Sequence, residues 1–274
     1  MYDLVPPSMK AQFNLINISN QRFKLLVNIL DKGSPKKGLL DYKYNNFVIF
    51  KYYLKLENSR FVLNIYKTNS KINHFNRVVL GAFVYDISLK YSISSITIET
   101  NNKLILQSLA FGFLQKDFIY TKYKSKSKFS KFKTNYKLSK NNQTLLDSIK
   151  FLKELVSEPS NVIYPASFVK RTQKYIDKKK VDIKILNKKD ISNIGLNCLL
   201  AVSQGSQREP KVMEFSKKNK KNNVDILFVG KGVCFDSGGI SIKPSNGMED
   251  MKWDMAGAAV TVSIIKHLSE INTN

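Results

Sequence analysis

Val229–Ala259 reads VGKGVCFDSGGISIKPSNGMEDMKWDMAGAA, setting three lysines and four carboxylates around a Gly-Gly turn. The residues just before it, Asp225-Ile-Leu-Phe-Val229, form a short β-rich run that stops at Gly230, which predicts a buried strand. On the other side, Asp254 opens a segment with Ala258, Val262, Ile265 and Leu268 at helical spacing, which predicts a helix starting near Asp254. Open α/β sheets gather their reactive groups between a strand end and a helix start of this kind.

The residue types in this stretch suit ion chemistry. Asp236 and Asp254 are hard oxygen donors on different elements, able to converge on one cation. Lys231 and Lys243 flank Asp236. A lysine desolvated beside a cation loses its proton and can act as a ligand, whereas one that stays charged can stabilise an oxyanion. Gly238 and Gly239 let the backbone adopt a positive φ or approach a ligand closely. Taken singly, each residue reads as an ordinary loop charge beside a tight turn. The combination is what points to a site.

The run from Val229 to Ser245, followed by Met251 to Ala259, resembles the signature of the leucyl aminopeptidase (cytosol aminopeptidase) family. The resemblance implies a two-metal centre, with Zn²⁺ or Mn²⁺, in which Lys231, Asp236 and Asp254 bind metal. It assigns Lys243 to the scissile carbonyl and its tetrahedral intermediate, and Met251 to the pocket for the substrate's first side chain. It further implies a peptide substrate and assembly as a homo-hexamer. The family completes its centre with a downstream Asn-Thr-Asp-Ala-Glu-Gly-Arg motif, and that motif does not occur in these 274 residues. The resulting expectation is a metal-dependent aminopeptidase releasing leucine-like N-terminal residues, whose catalytic domain is incomplete and silent in this chain alone. Two alternatives stand beside it. One is a non-catalytic remnant, or a DNA-binding or scaffolding form; the other is a split gene whose second fragment supplies the motif.

A chain of 274 residues with 43% hydrophobic content has room for two globular domains. The formal charge of +24 admits nucleic-acid binding, attraction to an anionic membrane, or a lysine-rich composition spread over solvated faces. The excess is mostly lysine, present in almost every segment and without arginine–aromatic interleaving, which favours the last reading. Cys198 and Cys234 form neither a metal pattern nor a disulfide framework, and reduced thiols suit the cytoplasm. Met1–Asn20 has no signal-peptide pattern, and no run reaches the length of a membrane span, so a cytoplasmic protein without a membrane partner is expected.

The expected organisation is a small N-terminal α/β domain over 1–123 and a basic linker over 124–144. The first part of an α/β catalytic domain with a central mixed sheet follows over 145–274. In the first domain, Phe23–Leu30, Asn46–Tyr53, Arg60–Lys67, Val78–Tyr85 and Ser94–Glu99 read as strands, with a turn at Asp31–Pro35. Leu104–Leu114 reads as a helix running into a strand over 115–124, as at the end of the family's N-terminal domain. Within Lys124–Asn142, Phe129, Phe132 and Tyr136 offer a base-stacking platform among lysines; the preferred reading is a domain boundary. Beyond it, Leu145–Ser157 is an amphipathic helix with Leu145, Ile149, Leu152 and Val156 on one face. Pro165 sits in the first turn of the next helix, Val181–Leu186 is a strand, and Gly195 stops a short helix over Lys188–Ile194. Val212–Phe215 and Val224–Val229 read as neighbouring strands. Arg208 and Glu209 read as an internal structural or subunit contact, and His74 and His267 receive no role. Ser237 has no histidine–acid pair to activate it, and Gly230-Lys-Gly232 lacks the phosphate-loop spacing.

Overall fold

Strict alternation builds the first sheet of this α/β protein. In β3 (Phe47–Glu57), Phe50, Tyr52 and Leu54 are buried while Lys51 between them is exposed, the pattern of a strand with one face on a core. The computed structural model describes residues 23–30, 39–44, 47–57, 60–67, 73–125, 132–218 and 224–271. The chain divides into two compact units, Met1–Asn142 and Gln143–Asn274, with the division inside the first turn of the helix Lys140–Ser157. The expected turn at Asp31–Pro35 lies outside the described residues.

In the first unit, β1 (Phe23–Leu30) lies between β4 (Arg60–Lys67) and β5 (Ile93–Glu99), parallel to both. Next to β4 come β3 and then β2 (Leu40–Tyr44), both antiparallel; on the far side, the two-residue β6 (Lys133–Thr134) pairs with β5. Two helices complete the unit, α1 (His74–Lys90) and α2 (Lys103–Lys116). Asparagine caps both, with the Asn73 side chain accepting from Asn76 N at 2.8 Å and that of Asn102 from Leu104 N at 3.0 Å. Leu25, Val27, Phe50, Tyr52, Leu63 and Ile65 from the strands share one core with Leu80, Phe83, Val84, Leu109 and Phe113 from the helices. Each such side chain contributes roughly 1.5–3 kcal/mol when fully buried.

Two expectations and one alternative for this unit change. Val78–Tyr85 is helical, lying inside α1. The helix buries Val79, Leu80, Phe83, Val84, Tyr85 and Ile87, because it packs on the sheet and on α2 together. An apolar run covered on several sides carries no 3.6-residue signature, so composition alone read it as β. The strand expected over 115–124 is irregular chain with a turn. The stacking alternative falls as well: Tyr136 is buried in the core and Phe132 packs, partly buried, against it. The Phe132 and Tyr136 rings lie 5.3 and 6.5 Å from that of Phe113, and burial pushes the Tyr136 phenol well above its ordinary pKa. Phe129 lies outside the described residues.

The second unit packs α3 (Lys140–Ser157) and α4 (Pro165–Tyr175) with the antiparallel pair β7 (Val181–Leu186) and β8 (Val212–Lys217). Pro165 opens α4, and Ser167 Oγ accepts from Tyr164 N at 2.9 Å. Gly195, at φ +77°, follows α5 (Lys188–Asn193), and α6 (Asn197–Ser203) comes next. The last elements are a 3-10 turn over Met248–Met255 and α7 (Ala256–Glu270). Met255, Ala259 and Val262 are buried with Leu155, Ile163, Phe168, Ile176 and Val181, so α7 is anchored in the core just behind Asp254.

On α3 the most deeply buried positions are Leu146, Ser148 and Leu155, while Leu152 and Val156 of the expected stripe pack, partly buried, against the core of this unit. One further correction belongs here. The strand expected at Val224–Val229, central to the predicted mixed sheet, has no ladder partner among the described residues. Its apolar side chains are 45–79% exposed from Ile226 to Phe228, and Val229 is 87% exposed. The sheet of this unit is the two-stranded β7–β8 pair, and the mixed sheet belongs to the first unit. A run apolar on both faces is built for a central strand, and it stays irregular where no ladder forms on either edge.

Candidate functional site

Chain from Gly230 onward runs against the start of α7. The Ala258 N–H donates to the Lys231 carbonyl at 2.8 Å, satisfying a group that a helix's first turn leaves without an intrahelical partner. The loop that follows folds on itself. Asp236 Oδ1 accepts from Gly238 N at 2.9 Å, Gly238 takes φ +102°, and Lys243 N donates to the Ser237 carbonyl at 2.9 Å. This closure returns Lys243 to Asp236. The 3-10 turn then presents Met251 and Asp254, held from below by buried Met255.

Four charged side chains meet as a result. Lys231 Nζ donates to Asp254 Oδ2 at 2.9 Å, and Lys243 Nζ to Asp236 Oδ2 at 2.7 Å. Lys243 Nζ also lies 3.0 Å from Met251 Sδ. The Lys243 ammonium and the Gly238 N–H hold the Asp236 carboxyl below the usual carboxylate range. Asp254 raises the Lys231 pKa through their hydrogen bond, against an opposing desolvation, with the Asp254 and Asp236 charges adding to the rise. Both shifts favour the charged forms. Cys234 is different: burial pushes its thiol up to about 11, which leaves it protonated at neutral pH.

All five residues singled out in the sequence, Lys231, Asp236, Lys243, Met251 and Asp254, therefore lie in one cluster. Two carboxylates side by side repel unless cationic charge lies against them; here two ammonium groups supply it. The same pair of hard oxygen donors suits a divalent cation. Among the described residues, no group of three or more His, Cys, Asp or Glu gathers to hold a metal. Arg208 stacks over the Tyr164 ring at 4.1 Å, and Glu209 pairs with Lys211 at 3.3 Å, so neither joins the cluster. His74 and His267 bond to Ser108 and Thr144. What the sequence reading missed is the Lys231–Ala258 backbone bond. Its signal was the small-residue run Ala256-Gly-Ala-Ala259 directly behind Asp254.

An α/β fold with paired lysines and carboxylates at a helix start is the class of protein these elements define. Residues 150–274 match the cytosol aminopeptidase family, catalytic domain. A probable cytosol aminopeptidase of Phytoplasma australiense is 47% identical over 129 residues, covering 46% of this chain and 26% of that protein. One of Caulobacter vibrioides is 45% identical over 127 residues, with the same 46% and 26% coverage. The matched part is thus about a quarter of these relatives' length. Among solved structures, a mutant tomato leucine aminopeptidase is similar with a TM-score of 0.69 at 17% identity, covering 94% of this chain and 59% of that one. The bottromycin maturation enzyme BotP in complex with Mn gives 0.67 at 19% identity, covering 89% and 56%. At such identities the likeness is one of fold.

Proposed function

We propose that this chain carries part of the peptide-hydrolysing centre of a metal-dependent aminopeptidase acting on leucine-like N-terminal residues. The observation that carries the reading is the convergence of Lys231, Asp236, Lys243 and Asp254 within hydrogen-bond distance. Asp236 and Asp254 are the oxygen donors for a divalent cation, Mn²⁺ or Zn²⁺, and Lys231 joins them as a ligand once deprotonated. A cation held there supplies Lewis-acid polarisation and an activated water. The chain's own residues do the rest. Asp236 anchors the Lys243 ammonium, which then faces the scissile carbonyl as a preorganised donor for developing oxyanion charge. Met251, against the same ammonium, borders the space for the substrate's first side chain. The names of the relatives support a cytosolic setting, and the family resemblance extends to a second cation and a hexameric assembly. No helix among the described residues is long and apolar enough to cross a membrane.

Titration of the purified 274-residue chain with Mn²⁺, read by the spin-resonance signal of the free ion, tests the reading. Binding is expected, weakened about tenfold or more by Asp236→Asn or Asp254→Asn. Leucyl p-nitroanilide is expected to remain uncleaved by this chain alone, because the Asn-Thr-Asp-Ala-Glu-Gly-Arg motif that completes the family's centre does not occur in these 274 residues. Equal Mn²⁺ binding by wild type and both variants, or none by the wild type, would overturn the proposal.

A further inference from the structure

We infer that Gly230 and Gly257 form a backbone crossing that positions Lys231 on Asp254, while the Lys243–Asp236 pair is set independently by its own loop. The consequence for metal binding rests on the function proposed above; the positioning itself does not. A Cβ on Gly230 would lie 2.4 Å from the Gly257 carbonyl oxygen and 2.6 Å from Thr261 Oγ1. From the other side, a Cβ on Gly257 would lie 2.9 Å from Lys231 N and 3.3 Å from its carbonyl oxygen. The nearest atoms are mostly backbone, so no side-chain rotation relieves both contacts. An alanine at Gly230 requires the two segments to part by roughly 0.6 Å or more.

This crossing is where the position of Lys231 is decided. Its side chain is 58% exposed, so no wall of packed residues steers the long, flexible stem toward Asp254. The geometry comes from the backbone: Lys231 is fixed by the Ala258 N–H to the first turn of α7, and Asp254 stands just ahead of that turn. Gly232 supplies the contrast. A Cβ there would meet only the Ala258 Cβ at 3.4 Å, an ordinary contact. The second pair, Lys243 with Asp236, is closed by the Lys243 N–Ser237 O bond within its own loop. Glycines of one motif thus have opposite tolerances, and two ion pairs of one site have separate supports.

Zero-length carbodiimide cross-linking of the full chain, read by mass spectrometry, tests the inference. The reagent joins an amine and a carboxylate only in direct contact, so the Lys231–Asp254 adduct can be scaled to the Lys243–Asp236 adduct in the same molecule. The ratio is expected to fall about tenfold in Gly230→Ala and Gly257→Ala, and to hold in Gly232→Ala. Mn²⁺ affinity should follow the same order. In the wild type, the Ala258 amide should exchange slowly despite its place in the first helical turn, a readout that needs no variant to fold. A retained ratio in Gly257→Ala, a loss in Gly232→Ala, or a fast Ala258 amide would overturn the positioning. A wild type that gives both adducts yet binds no Mn²⁺ would instead sink the metal reading, with the positioning judged by the adducts alone.

Discussion

Replacing Gly112 by alanine sets helix propensity against packing. Gly112 lies inside α2, where alanine is the better helix former by about 1 kcal/mol, so local preference alone forecasts a gain. The structure forecasts a loss. A Cβ on Gly112 would stand 1.9 Å from the Val78 carbonyl oxygen and 2.9 Å from its Cα on α1, while a Cβ on Gly81 would stand 2.0 Å from the Leu109 carbonyl oxygen. These contacts are backbone to backbone, so the helices must separate by roughly 1 Å, at the severe end of overpacking. Leu80, Phe83, Leu109, Ala110 and Phe113 are all under 5% exposed in that core. A gap of that size forfeits a quarter to a half of each affected dispersion contact. Set against the propensity gain, the net expected cost is about 3 kcal/mol, a fall of about 10 °C in Tm. Urea unfolding of the full chain by circular dichroism measures it, with amide exchange locating the loss in residues 74–116. Gly205→Ala, with nothing within 4 Å of its new Cβ, should stay within about 0.5 kcal/mol of wild type. A Gly112→Ala protein as stable as the parent would refute the close crossing of α1 and α2.

Glu158 is 3% exposed and accepts from Arg171, whose side chain is 32% exposed, at 2.7 Å, so Glu158→Ala removes the partner of a half-buried guanidinium and should cost about 1.5 kcal/mol; an unchanged urea midpoint would contradict this. Glu270, held by Lys180 and Lys266, has its pKa lowered from 4.5 to about 2. A depressed acid stabilises the fold above its unfolded pKa and loses that contribution as pH falls toward the folded value, so acid titration should weaken the second unit between those two values. In Glu270→Gln that slope should flatten, at a cost of roughly 1 kcal/mol or less near neutral pH because the site is partly solvated. Finally, the exposed run Val224–Val229 should make the isolated chain associate, since an exposed apolar segment of β composition invites pairing with a second copy. Light scattering should fall when Ile226 and Phe228 are both replaced by lysine, and no change would argue against exposure of the run.

Much of this protein was legible from residue order, for reasons that differ by element. Phe23–Leu30, Arg60–Lys67 and Val181–Leu186 read as strands because short β-rich runs are bounded by other chemistry. Pro165 and Gly195 mark helix ends because one lacks an N–H that a first turn leaves unused and the other accommodates a positive φ. Val78–Tyr85 misled because a helix covered by both a sheet and a helix is apolar all round. Residues 225–229 misled in the opposite sense, since β composition records what a segment can pair with, not whether a partner lies beside it. Leu40–Tyr44 and Lys133–Thr134 left no signal of their own: one mixes charge with aromatics, and the other is two residues long.

The sequence by itself determined the members of the cluster. Lysine and aspartate chemistry, with glycines that permit a folded loop, is a property of residue type and spacing, and all five residues meet. Tertiary structure alone decided how they are held. The Lys231–Asp254 contact joins residues 23 positions apart, and depends on two backbones approaching more closely than any side chain would allow. The Lys243–Asp236 contact depends on one loop closing upon itself. Closeness of that kind is a sum of turns, caps and buried anchors such as Met255, and it exists only once the chain has folded.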